Sequence, residues 1–215
     1  GPCDDQRQMG ATAGLVVGAD DPAVLDDRDA GGAAADVHDG AVPHPEHGVG
    51  GRGLVDDRVA LGAALEGGSG FFALLPFDLS ADDLDTHADR LIASIAGAVA
   101  DARIPHVVML SSGGADLAEG TGPITGLHRL EAALLATGTT LTALRSGHFQ
   151  EKVAEVVDVA REHGVYPVFA ASADTPVPMV ATVDIGEAAA RALQAPPPVS
   201  EAVDLVGPAY TEREV

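Results

Sequence analysis

The chain has 215 residues, 46% of them hydrophobic, and a formal net charge of −21. That length holds one domain with a real core, or a domain and a small extension, and that charge excludes a basic nucleic-acid footprint or contact with an anionic membrane. The single cysteine, Cys3, excludes an internal disulfide and a cysteine metal cluster; no apolar run could span a bilayer and the acidic N-terminus carries no signal peptide, so the expected compartment is cytoplasmic.

Residues 1–56 form an atypical acidic, Gly- and Asp-rich segment. Asp pairs recur (Asp4-Asp5, Asp20-Asp21, Asp26-Asp27), and only Leu15-Val16-Val17 has strand character. No helical or alternating period is sustained, so the expectation is a poorly ordered segment. His38, His44 and His47 cluster there, but their spacing fits no standard metal site, and no metal is expected. Lys152 is the only lysine, and Asn and Trp are absent. That bias fits either a GC-rich coding sequence or a salt-adapted surface. The first option has a corollary: a shifted reading frame upstream of Asp57 would keep the composition and destroy the periodicity.

From Asp57 the pattern becomes regular. Val59 to Leu65 predicts a short helix closed by Gly67-Gly68. Phe71 to Leu75, stopped by Pro76, is a continuous apolar run, as in a strand buried on both faces. Ser80 is placed to cap the next helix, in which Leu84, Ala88, Leu91, Ile92, Ile95 and Val99 recur on one face. His106 to Leu110 is a second buried strand, ending at Ser111-Ser112-Gly113-Gly114. Leu127, Leu130 and Leu134 mark a helix closed by Gly138, and Thr139 to Leu144 is β-prone. Val153 to Arg161 predicts a helix and Val165 to Phe169 a strand. Pro178 places Val177 to Ala181 at a sheet edge. A helix from Asp184 to Leu193, a linker at Pro196-Pro197-Pro198 and a last strand at Ala202 to Val206 follow. Thr211 with Glu214 is a capping-box pattern, as at a helix start. Strands alternating with helices predict an α/β fold, a mostly parallel sheet covered on both faces.

Ligands bind beyond the carboxyl ends of such strands. Leu74, Leu75 and Pro76 are candidates for apolar contact with an adenosine or ribose. Ser111 and Ser112 either hydrogen-bond a ribose or substrate carbonyl, or are simply turn residues after a strand. His128 and Glu131 share a helix face, as a proton-transfer pair or as a solvated surface.

Residues from about Asp57 to Val215 resemble the NmrA-like group of atypical short-chain dehydrogenases. The resemblance lies in Ala64-Leu65-Glu66-Gly67 before Phe71 to Pro76, His106 to Ser112, His128 to Glu131 before Thr137-Gly138, Thr142 to Glu151, and Val180 to Gly186. It implies a Rossmann-like domain over 57–215, truncated at its C-terminal end, that binds NADP or NAD. It also implies NAD(P)H-dependent reduction of a small carbonyl or quinone-like substrate, with His128, Arg145 and His148 on the substrate side. Gly147 and Phe149 join the cofactor-binding candidates. The alternatives are a non-catalytic NADP sensor acting on a protein partner, and a remnant without cofactor binding. The family's opening strand and Gly-x-x-Gly-x-x-Gly turn have no counterpart. Gly10-Ala11-Thr12-Ala13-Gly14 has the wrong spacing and follows a polar stretch, and Gly53 or Leu54 stands where an Asp near the adenine is usual. The Tyr-x-x-x-Lys pair of typical short-chain dehydrogenases is absent. Three expectations follow: parallel strands at Phe71–Leu75, Val107–Leu110, Thr140–Leu144 and Val165–Phe169; weak NADP(H) binding; and a sheet that stops at Phe71–Leu75, leaving an exposed edge.

Overall fold

The computed structural model describes residues 55–78, 81–166, 168 and 171–214, with the short strand β1, Val16–Gly18. The remainder of the acidic segment 1–56, apart from 55 and 56, lies outside the described residues.

The main sheet has the order β1-β2-β3-β4-β7, with β2 Gly68–Ala73, β3 His106–Ser112, β4 Thr140–Ser146 and β7 Glu201–Leu205. From β2 to β7 every pairing is parallel, with Phe71 opposite Val107, Val107 opposite Leu141 and Leu144 opposite Val203. The fold is therefore α/β with a parallel central sheet, as the alternating pattern predicts. Helices lie between the strands: α1 Arg58–Leu65, α2 Leu84–Ala102, α3 Ile124–Ala136, α4 Lys152–His163 and α5 Thr182–Gln194.

The helix ends have local causes. The Asp57 carboxylate accepts from the N–H groups of Val59 and Ala60 at 2.9 and 3.1 Å, capping α1. Asp83, rather than Ser80, caps α2, accepting from the N–H groups of Asp85 and Thr86 at 3.0 and 3.2 Å. Ser80 lies outside the described residues. Gly138 and Gly164 close α3 and α4 at φ of 84° and 65°, a region that costs glycine little.

Side chains alternate across the sheet. Val107 and Met109 of β3 face one side, where Leu91, Ile95 and Val99 of α2 and Leu127, Leu130 and Leu134 of α3 complete the main core. Val108 faces the other side and packs with Leu144 and with Ala189 and Leu193 of α5. Both faces of the strands are therefore covered by helix, which is why the strands read as continuous apolar runs. Among the described residues no helix is long and apolar enough to cross a membrane.

Four expectations are corrected. Val165, Tyr166 and Val168 belong to no strand, and the fourth parallel partner is β7, the segment predicted as a last strand. Val165 is 64% exposed, so its short apolar stretch is not spent on a sheet. The main sheet does not stop at β2, because β1 pairs with it antiparallel, Val16 opposite Phe71. The third correction concerns β6, Val177–Val180. It is the middle strand of a second sheet, between β5 His148–Phe149 and β8 Ala209–Tyr210, not an edge. β5 pairs only with Met179 and Val180, so Pro178 has a neighbouring strand on one side alone and its missing N–H is tolerated. Finally, Thr211 and Glu214 do meet as a capping box, the Glu214 carboxylate accepting from the N–H and hydroxyl of Thr211 at 2.9 Å each, but within a turn.

Candidate functional site

The carboxyl ends of β2, β3 and β4 come out side by side at Ala73, Ser112 and Ser146. In this sheet type that edge is where ligands bind. Tight hydrogen bonds shape it: the Gly113 N–H donates to the Ser146 carbonyl at 3.0 Å, and the Gly147 N–H to the Leu205 carbonyl at 3.1 Å. The chain passes close to β6 at Gly147, where a side chain would be crowded. A Cβ there would lie 3.1 Å from the Pro178 carbonyl oxygen.

A buried polar cluster sits beneath this edge. The Arg145 guanidinium donates to both oxygens of the Glu131 carboxylate, at 2.7 and 3.2 Å. The Ser111 hydroxyl donates to the same carboxylate at 2.5 Å. The Ser146 hydroxyl donates to the Ser111 carbonyl at 3.3 Å. The Arg145 and Glu131 side chains are 20% and 10% exposed. The fork matches the planar guanidinium to the planar carboxylate, and low exposure strengthens it. Its hydrogen bonds raise the Arg145 pKa further above the ordinary value, burial opposes this, and the Glu131, Asp116 and Asp204 charges add to the rise. Asp204 is the register partner of Arg145 on β7.

His128 and Glu131 lie three residues apart on α3 but do not pair. His128 Nδ1 meets the Ala115 carbonyl at 2.8 Å, and Glu131 is engaged by Ser111 and Arg145. His128 is thus fastened to the turn after β3, half-buried, beside the cluster. His148 and Phe149 are half-buried in β5, just past Gly147. Ser112 is half-exposed, its hydroxyl donating to the Gly113 carbonyl at 3.2 Å, while Ser111 is buried.

The three residues after β2 divide. Leu75 is buried and belongs to the main core, so its side chain is not available to a nucleotide. Leu74 is half-exposed. Pro76 lines a shallow depression between the first turns of α2 and α3, with Phe77, Leu84, Ala88, Pro123 and Gly126. The structure therefore brings Ser111 and Arg145 together through Glu131, sets His128 beside them, and leaves Leu75 in the core.

These strand ends present apolar surface at Leu74 and Pro76, then hydroxyl and backbone groups from Ser112 to Gly114. Among the described residues, no three side chains of metal-ligating type converge. The Tyr166 hydroxyl donates to the buried Glu212 at 3.0 Å, so it is engaged outside the cluster.

No protein-family profile matches the chain, and no curated protein does. Solved structures do match. The NADPH-dependent quinone oxidoreductase QOR2 of Escherichia coli, complexed with NADPH, is 25% identical with a TM-score of 0.59, over 73% of this chain and 53% of that one. The Citrobacter sp. triphenylmethane reductase complexed with NADP(H) is 20% identical with a TM-score of 0.59, over 73% and 53%. MoeE5 in complex with UDP-glucose and NAD is 15% identical with a TM-score of 0.60, over 74% and 64%. The chain thus has the Rossmann-type fold shared by reductases and enzymes that hold nicotinamide cofactors. It spans about half the length of the first of these structures.

Proposed function

We propose that this chain is an NmrA-like, NAD(P)-binding protein whose activity is NAD(P)H-dependent reduction of a small carbonyl or quinone-like substrate. The observation that carries this reading is the convergence of three parallel strand ends over the Ser111–Glu131–Arg145 cluster. The likeness to a quinone reductase complexed with NADPH supports it. In this reading Leu74, Pro76, Ser112 and Gly113 hold the nucleotide, and Gly147 and Phe149 flank it. Bound NAD(P)H supplies the hydride. Arg145 orients the substrate oxygen through N–H donors that Glu131 does not occupy. His128 and His148 stand where a proton can pass to that oxygen, directly or through water.

The test is titration of NADPH fluorescence, followed by quinone-dependent loss of NADPH absorbance with 2-methyl-1,4-naphthoquinone. The expected result is saturable but weak binding, with Kd on the order of 1 mM, because no glycine turn is legible upstream. Quinone-dependent oxidation should accompany it. A linear, non-saturating titration overturns the reading. A second reading, a non-catalytic NADP sensor, is favoured by one observation: no tyrosine–lysine pair stands at the strand ends, Tyr166 being bonded to Glu212. Saturable binding without quinone-dependent oxidation is its signature.

A further inference from the structure

We propose that the β4 end selects uncharged acceptors and discriminates against anionic ones. The proposal rests on reading that end as the substrate side. Taken alone, a guanidinium at a strand end is an anion receptor. Arg145 is not in that state. Glu131 takes two of its five N–H donors in a fork at 2.7 and 3.2 Å, and Ser111 donates to the carboxylate oxygen that also accepts from Arg145 Nε. Two further carboxylates act on the same charge. Asp204 is its register partner on β7, and Asp116 lies in the turn after β3. Both aspartates are exposed.

One cation therefore faces three carboxylates. An incoming anion gains little from a guanidinium already neutralised by Glu131, and meets Asp116 and Asp204 uncompensated. An uncharged carbonyl escapes that repulsion and still accepts from a free guanidinium N–H. The cofactor's phosphates are not subject to this field in the same way, because in this fold class the pyrophosphate sits at the strand-order switch, on the β2 side of β3.

The test compares 2-methyl-1,4-naphthoquinone with 1,4-naphthoquinone-2-sulfonate, as equilibrium binding to the full chain by saturation-transfer NMR and, separately, as NADPH oxidation. The uncharged quinone should bind about tenfold more tightly than the sulfonate at low salt, about 1.4 kcal/mol, and the ratio should shrink at high salt. Glu131→Gln keeps an acceptor for Arg145 and unmasks its charge, so it should gain affinity for the sulfonate specifically. Asp204→Asn, on the exposed edge strand, should shift the ratio the same way by less, and does so even if the Glu131 variant fails to fold. Equal or tighter sulfonate binding by the wild type, no binding of either quinone, or an unchanged ratio in a folded variant overturns the proposal. Discriminating binding without NADPH oxidation upholds it while removing the catalytic reading above.

Discussion

Strands β3 and β4 are joined by a buried polar cluster near each end, and the two clusters are built on opposite terms. Near the amino ends, His106 Nε2 meets the Thr142 hydroxyl at 3.1 Å, and His106 Nδ1 has no partner. At the carboxyl ends, Glu131 is held by Ser111 and by both arms of the Arg145 fork. A neutral imidazole survives burial with one nitrogen unpaired, because that costs about 1–3 kcal/mol. A carboxylate would not, so the charged cluster is partnered from two elements. The uncharged end is structural. The charged end fixes a guanidinium at the carboxyl ends of the strands.

Breaking the charged end should have the largest effect. Glu131→Ala leaves the largely buried Arg145 without the carboxylate that holds its fork, and the expected loss of stability is about 3 kcal/mol by denaturant unfolding. Replacing both partners with apolar residues, as in the Glu131→Leu, Arg145→Met double variant, should recover most of that loss, since a buried pair is worth little net against well-packed apolar groups. If the double variant is as unstable as the single one, the cluster holds the fold by more than this pairing.

This asymmetry was only half visible in the chain itself. The strands around Phe71, Val107 and Leu141 read correctly because burial on both faces leaves an uninterrupted apolar run, and α2 reads correctly from one apolar stripe. Ser111 and Arg145 could be placed at strand ends for the same reason. Their union through Glu131 could not, because α3 and β4 are brought together only by tertiary packing. Spacing alone paired Glu131 with His128, its neighbour on the helix, whereas the structure turns each toward a different partner. The strand expected at Val165–Phe169 failed for a related reason. A short apolar run has no unique meaning until it is known which surface it covers, and β7, with Glu201 and Asp204 exposed, took that place.

The uncharged end should reveal itself through pH. Burial lowers the His106 pKa from the ordinary 6.5, with Glu201 pulling weakly the other way. The folded state therefore holds a neutral ring that the unfolded chain protonates more readily. Stability from this site is fully present above the unfolded pKa and is lost as pH falls through 6.5 toward the folded value. The loss of unfolding free energy between pH 8 and pH 5.5 should be larger for the wild type than for His106→Asn. Equal pH slopes would mean that the ring already finds a partner for its second proton.

A smaller effect is expected where the β4 exit is tied to α5. One Glu151 oxygen accepts from both the N–H and the hydroxyl of Thr182, at 2.9 and 2.8 Å, so a residue beyond β5 caps the start of α5. Partial burial raises the Glu151 pKa, but the hydrogen bonds from Thr182 outweigh it and the net shift is downward. Glu151→Ala should cost about 1 kcal/mol, in the range of a lost helix cap, and Glu151→Gln, which keeps an acceptor, should cost less. If the tie also positions His148 and Phe149, the alanine variant raises KM for the quinone while the affinity for NADPH is unchanged.

The smallest effect belongs to an exposed fork of the same kind as Arg145–Glu131. Arg58 on α1 donates to both oxygens of Asp101 on α2 at 2.8 Å each, a more symmetric fork than the buried one. Here the side chains are 53% and 57% exposed. Water and salt screen their attraction, and two long side chains must be held in one rotamer each, which offsets the gain. Arg58→Ala should therefore leave the unfolding midpoint unchanged within error, despite breaking two short hydrogen bonds. Both pairs are two-bond arginine–carboxylate forks, so burial is the main difference between them. If Arg58→Ala proves as damaging as Glu131→Ala, geometry rather than desolvation governs these forks, and the contrast between the two ends of β3 and β4 needs a different cause.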